Sequence, residues 1–157
     1  MECSLWSALT DWYVQTPMAI TAENLAEKYN INREDCDNFA LSSQRRWAEA
    51  QKRGNFKNEV VPVTIKVKGK EVLFEVDEYP KPDTTLENLA KLPTVFKKGG
   101  VVTAGNASGV NDGAAALVLA SEEAVKIHSL TPLARIVGYC SMGVDPTIMG
   151  EFAHHPN

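Results

Sequence analysis

Apolar positions recur with a helical period in one long stretch and gather into short β-branched runs elsewhere, so the chain predicts mixed α/β structure. Cys36, Phe39, Ala40, Ser43, Trp47 and Ala50 fall at helical spacing and predict one buried face, while Gln44, Arg45, Glu49 and Lys52 fall elsewhere. Asn32 is placed to cap this helix, with Glu34 and Asp35 in its first turn and Gly54 to end it. A shorter helix is expected over Ala22 to Lys28, capped by Thr21, with Glu23 and Glu27 suiting its early turns. Residues 1 to 18 carry Trp6, Trp12 and Tyr13 close together and read as a loop or a short helix, since Pro17 stops any longer one.

Val60 to Val67 and Glu71 to Val76 are β-branched runs on either side of Lys68-Gly69-Lys70, which predicts a hairpin with a short glycine-containing turn. Pro62 belongs at its edge or at the start of its first strand. From Asp77 to Lys98, Pro80, Pro82 and Pro93 surround a short helical piece that Thr84 would cap, with Glu87 three residues on. Irregular excursions of this kind carry sites. Further on, Ala114 to Ala120 predicts a continuous apolar strand, Ser121-Glu122-Glu123 a helix start, and Leu133 to Ser141 another buried strand.

Between those regions runs Val101 to Ala116, where Gly105, Gly109 and Gly113 are spaced four apart. Ser108, Asn106 and Asn111 supply a hydroxyl and two amides where backbone would otherwise be left bare. Glycines so placed let another backbone or a ligand approach closely. Two readings stay open at this level: a tight loop that serves only geometry, and a binding loop.

Composition narrows the classes. With 157 residues, 44% apolar and 23% charged, the chain is long enough for a core and too apolar for disorder. A net charge of -4, with both signs mixed along the chain, gives no basic stripe for nucleic acid. Apolar runs such as Ala114 to Ala120 fall far short of the roughly 20 residues a membrane helix needs. Cys3, Cys36 and Cys140 suit neither a disulfide framework nor a paired-ligand metal site, which points to a reducing compartment. The opening Met1-Glu2-Cys3-Ser4-Leu5-Trp6 resembles neither a secretory nor a mitochondrial targeting segment.

A family resemblance rests on blocks in a fixed order. Thr103-Ala104-Gly105-Asn106-Ala107-Ser108-Gly109, Asp112-Gly113-Ala114, Pro132-Leu133-Ala134-Arg135-Ile136-Val137 and Gly143-Val144-Asp145-Pro146 resemble the middle of a thiolase. Upstream, Leu9-Thr10-Asp11, Met18, Thr21-Ala22-Glu23-Asn24 and Asp77-Glu78-Tyr79 fit the same order. The resemblance covers residues 5 to 150, and the subclass it favours is the animal mitochondrial type. It implies a partial thiolase-like α/β fold: residues 1–100 as most of the coenzyme A loop domain, 101–150 as the last strands of the amino-terminal half, and 151–157 as an unrelated tail.

The same resemblance implies where coenzyme A lies. Ser108 matches the serine that meets the pantetheine arm, Ala104 a small residue lying against it, and Phe96 an apolar wall of its tunnel. Leu9 and Met18 match the loop over the acyl pocket, and Met149 another lining residue. Lys81 stands where some members place an arginine near the nucleotide end, and Asn88 where some place a serine. A lysine offers a point charge instead of a planar fork, which changes how phosphate would be met. Pro17 replaces a histidine found in some members, consistent with longer acyl chains. From residue type alone, Leu9, Met18, Phe96 and Met149 also suit simple packing, and Ser108 a turn hydroxyl.

Thiolase chemistry needs a nucleophilic thiolate, an activating histidine, a second cysteine as acid and base, and donors for the oxyanion. The family takes the first from an upstream helix and the others from Asn-Glu-Ala, Gly-His-Pro and Cys-X-Gly motifs, none of which occurs in this sequence. His154-His155-Pro156 lacks the glycine. No catalytic residue and no metal ligand is therefore expected, and coenzyme A or acyl-CoA is expected as substrate, with no permanently bound cofactor. Expected partners are CoA thioesters and full-length thiolase subunits, in a mitochondrial setting by resemblance and otherwise a cytoplasmic one. The functional expectation is an acyltransferase by family that is inactive alone; a non-catalytic CoA-binding or assembly module and a product without function are the alternatives.

Overall fold

In the computed structural model, which describes residues 3–154, the chain opens with a short helix, α1 (Ser4–Ala8). Thr10 then pairs with Pro17 in an antiparallel bridge, and the Met18 amide donates to Leu9 O (2.8 Å). Helix α2 (Met18–Lys28) starts directly after Pro17, whose φ of -63° and ψ of 141° leave it extended at the N-cap. The sequence places this start four residues later, at Ala22, with Thr21 as its cap. Thr21 is instead inside the helix, buried, with its hydroxyl donating back to Met18 O (2.7 Å). A proline can open a helix because its missing N–H would have no partner there.

Helix α3 (Arg33–Arg53) has the ends the sequence predicts. Asn32 accepts from Asp35 N, the Asp35 carboxylate accepts from Asn32 N (3.1 Å), and Gly54 closes the helix at φ 75°. Its buried face differs from the expected one. Asp37, Ala40 and Leu41 are buried, whereas Phe39 is 76% exposed and Ser43 is exposed. The helix turns Ala40 and Leu41 toward Leu89 and Leu92, forming the small core, and leaves Phe39, Ser43, Arg46, Trp47, Ala50 and Phe56 around an open groove of about 360 Å³. Periodicity fixes which residues share a face and not which face is covered.

Strands β1 (Val63–Val67) and β2 (Lys70–Phe74) form a two-stranded antiparallel ribbon with Ile65 opposite Val72. Lys68 and Gly69 turn it with φ of 50° and 80°, the left-handed pair that suits the twist of a two-residue hairpin. Pro62 precedes β1, as expected. Helix α4 (Leu86–Ala90) is capped by Thr85, which accepts from Asn88 N, and not by Thr84. Thr84 is already committed: its hydroxyl donates to Lys81 O (2.6 Å).

Two compact units result. The first runs to Gly109 and resumes at Asp145; the second spans Val110–Val144. The first extends past residue 100, taken above as the end of the loop-domain portion, because residues 101 to 106 are bonded to α2 and α3. It also holds the 3-10 segment Pro146–His154, kinked at Ile148 and packed on α2, where Asn24 Nδ2 donates to Thr147 O (2.9 Å). Residues 151–154 of the expected tail thus form part of a 3-10 turn, and its last three positions lie outside the described residues.

Within the second unit, helix α5 (Glu122–Ile127) forms where predicted, with Ser121 accepting from Ala124 N (3.1 Å). The two flanking strands do not: residues 114–120 and 133–141 form no helix, pair with no strand, and are exposed, Leu117 at 90% and Leu133 at 101%. Such runs suit strands covered on both faces, and a strand exists only where a neighbour completes its ladder. No helix among the described residues is long and apolar enough to cross a membrane.

Candidate functional site

The loop at residues 100–107 is held by side chains from two helices. Glu23, on α2 and only 2% exposed, accepts from the backbone amides of Val101 (2.8 Å) and Val102 (2.9 Å). A carboxylate removed from water needs such partners. The expected role of Glu23 near a helix start gives way to this tertiary one. A Cβ on Gly100 would collide with the Glu23 carboxylate, so the backbone reaches it only as glycine.

From α3, Asp37 completes the clamp. Its Oδ1 accepts from Asn106 Nδ2 (3.1 Å), while the same amide donates to Val101 O (2.8 Å) and Asn106 Oδ1 accepts from Thr103 N (2.8 Å). The asparagine therefore does what its place in the sequence suggests, satisfying bare backbone. Thr103 is fully buried, and its hydroxyl accepts from Gly105 N (3.2 Å). Gly105 packs so closely that an added Cβ would stand 2.5 Å from Leu89 Cδ2 and 2.6 Å from Leu92 Cδ1.

This packing leaves a cleft of about 580 Å³ between the loop, α4 and the turn at residues 79–84. Tyr79, Pro82, Leu89, Leu92, Ala104, Gly105 and Ala107 make its apolar lining; Gln44, Lys81, Asp83, Thr84 and Asn88 supply polar groups. The size and the mix, apolar walls with a few polar groups, are those of small-molecule and cofactor sites. The turn is fixed to α3 by Lys81 N donating to Gln44 Oε1 (2.8 Å).

Of the residues singled out from the sequence, Lys81, Asn88 and Ala104 line this one cleft. Ser108 is exposed between Ala107, a lining residue, and Gly109, which abuts the Tyr79 ring. Phe96 follows the contact in which Val95 N donates to Val102 O (3.1 Å) and is partly exposed. Leu9 and Met18 meet across their backbone bond at the start of α2, and Met149 lies on the 3-10 segment packed against that helix. These three stand apart from the cleft's lining. Sequence reasoning missed Arg33, Asp37 and Glu23, because a charged residue on a helix reads as solvated until its tertiary partners are known.

The three cysteines differ in exposure. Cys3 and Cys140 are exposed and Cys36 is half-buried, all as free thiols. Burial, reinforced by the carboxylates of Asp37, Asp35 and Glu23, raises the Cys36 pKa above its ordinary value. A thiol so placed carries less thiolate at any pH near neutrality. Iodoacetamide at pH 8 should therefore label Cys36 more slowly than Cys3 or Cys140 in the folded chain, with the difference erased in urea; peptide mass spectrometry over a time course checks this. Among the described residues no cluster of histidine, cysteine and carboxylate side chains is arranged to hold a metal.

Comparison with known proteins agrees with this geometry in family and fold. The sequence profile described as "Thiolase, N-terminal domain" matches residues 1–123. Mitochondrial 3-ketoacyl-CoA thiolase of Bos taurus is 63% identical over 150 residues, 96% of this chain and 38% of that protein. Beta-ketoadipyl-CoA thiolase of Pseudomonas aeruginosa is 56% identical over 90% of this chain and 35% of its own. The crystal structure of human mitochondrial 3-ketoacyl-CoA thiolase in complex with CoA superposes on 95% of this chain with a TM-score of 0.79 at 60% identity, and 37% of that chain is covered. The chain thus spans little more than a third of the length of these relatives.

Proposed function

We propose, for a chain that belongs to the thiolase family through its N-terminal domain, a role as the coenzyme A-holding part of a thiolase. Its fold is part of the mixed α/β thiolase fold. The reaction it serves is acyl transfer, in which a 3-ketoacyl-CoA is cleaved by the thiol of CoA into acetyl-CoA and a shortened acyl-CoA. The observation that supports this reading is the cleft in which Lys81 and Asn88, from one stretch of chain, come together with Ala104 from another. Ala104 leaves room for the pantetheine arm, Ser108 offers it a hydroxyl at the rim, and Lys81 faces the phosphates of the nucleotide end. Phe96, Leu9, Met18 and Met149 extend this toward the acyl end of the ligand. Its similarity to mitochondrial 3-ketoacyl-CoA thiolases supports a role in fatty-acid metabolism in that organelle.

On this reading the chain binds CoA thioesters and does not turn them over. The sequence carries none of the Asn-Glu-Ala, Gly-His-Pro or Cys-X-Gly motifs, and its histidines are His128, His154 and His155. Burial and acidic neighbours raise the pKa of Cys36 on α3 above its ordinary value. Calorimetric titration with CoA tests the binding half of the proposal. Saturable binding that weakens with salt is expected, since a phosphate met by an exposed lysine is screened; no heat of binding at millimolar CoA would end it.

A further inference from the structure

We infer that the Arg33–Asp37 pair on α3 is a positioning device that sets the spacing between the two walls of the cleft. The inference rests on the CoA reading for its consequence and on geometry for its existence. Asp37 Oδ2 accepts from Arg33 Nε (2.8 Å), and the Asp37 side chain is 5% exposed. The Arg33 guanidinium also donates from one terminal nitrogen to Leu89 O (2.7 Å) and Leu92 O (3.0 Å), carbonyls at and just beyond the end of α4. Leu89 and Leu92 form one wall of the cleft. On its other oxygen Asp37 accepts from Asn106, whose bonds to Thr103 N and Val101 O shape the loop that presents Ala104 and Gly105 as a second wall, packed against the first at Gly105.

One ion pair therefore reaches both walls through different atoms. The spacing it fixes is narrow, because Gly105 already lies against Leu89 and Leu92 with no room for a methyl group. A planar guanidinium that must meet a carboxylate and two carbonyls at once holds its partners at fixed distances and angles. Neither residue is among those lining the cleft, so both act through the backbone they hold.

Two substitutions separate the arms. Asp37→Asn keeps an oxygen for Asn106 but turns an amide donor toward Arg33, cutting the α4 arm; Asn106→Ala cuts the loop arm. Each should weaken CoA about tenfold, the size expected for losing a hydrogen bond to a charged group. The double variant should lose little more than the worse single one, because both interrupt one relay. Binding of adenosine 3′,5′-bisphosphate, which carries the nucleotide end without pantetheine, should change less than twofold. Loss of affinity for both ligands to the same degree would overturn the inference, as general destabilisation would do that. Hydrogen exchange on the unliganded chain decides independently of CoA. Asp37→Asn should speed exchange at residues 89–92 while leaving the amides near Ala50 unchanged, Asn106→Ala should do so at 103–107, and the double variant should speed both. If Asp37→Asn does not fold, Arg33→Lys, which keeps the cation and loses the fork, should give the same exchange pattern more weakly. Uniformly faster exchange, or unchanged exchange at 89–92 in both Arg33 and Asp37 variants, contradicts the relay. A chain that binds no CoA but shows the predicted exchange would refute the proposed function and leave the relay standing.

Discussion

Purified chain mixed with acetoacetyl-CoA and CoA should release no acetyl-CoA above the uncatalysed rate. Thiolysis requires that a thiolate attack the ketone-bearing acyl group, that a base remove the thiol proton, and that donors carry the charge on the developing oxyanion. Removing such groups from an enzyme costs many orders of magnitude, since each acts only with the others in place. Here Cys36 is partly buried beside three carboxylates that oppose its ionisation, and Cys3 and Cys140 are exposed. No covalent acyl adduct should form at any cysteine either. The check is a coupled assay for acetyl-CoA together with intact-protein mass spectrometry, using a chain with Cys3, Cys36 and Cys140 all changed to serine as the reference. Turnover or acylation above that reference would show that the chain carries its own chemistry.

Self-association is the second large effect expected of the isolated chain. Residues 114–120 and 133–141 expose Leu117, Val118, Leu119, Leu133, Val137 and Tyr139 along backbone that pairs with no strand. Exposed apolar area of this extent beside open backbone donors and acceptors drives edge-to-edge pairing. The human thiolase structure that superposes on 95% of this chain is much longer, with only 37% of it covered. Light scattering should therefore show mass rising with concentration in the micromolar range, and 1-anilinonaphthalene-8-sulfonate should fluoresce strongly. Leu117→Lys with Val137→Lys should reduce both by severalfold while leaving the cleft intact, because these positions belong to the other compact unit. A monomer with one sharp, reversible unfolding transition would contradict this.

Local chemistry in the sequence translated well where the partner lies within a few residues. Asn32 with Asp35, Gly54, the Lys68-Gly69 turn and Ser121 all do in the fold what their residue types predict. Thr84 and Thr21 show the limit of that level, since each lies one turn or less from the true cap and has a hydroxyl already engaged elsewhere. Faces and strands needed distant partners. Phe39 and Trp47 share a helical stripe with Ala40, yet α4 covers only the Ala40 and Leu41 side. Residues 114–120 have the composition of a central strand and lack the neighbour that would make them one.

Ala104, Asn88 and Lys81, singled out from the sequence, line one cleft that the sequence order alone does not reveal. What gives that cleft its shape was not legible. Glu23 and Asp37 are ordinary charged helix residues until the loop at 100–106 reaches them from about seventy positions away, Arg33 until it meets the Leu89 and Leu92 carbonyls, and Asn106 is an ordinary turn residue until it meets Asp37.

Ala104 offers the most direct test that this cleft holds coenzyme A. Its side chain is exposed within the cleft, so Ala104→Leu adds three carbons to open space and should leave the fold unchanged. A ligand arm lying against it would meet an overpacked contact, which costs about 1 to 3 kcal/mol or more, roughly fivefold to more than a hundredfold in affinity. Ser108→Ala should cost less, about 0.5 to 1.5 kcal/mol, for one neutral hydrogen bond. Calorimetry with CoA on the chain and on its Ala104→Leu variant measures this, with circular dichroism showing that both are folded. A large loss of affinity in the Leu variant is the predicted result, and equal affinity in the two chains would remove coenzyme A from this cleft.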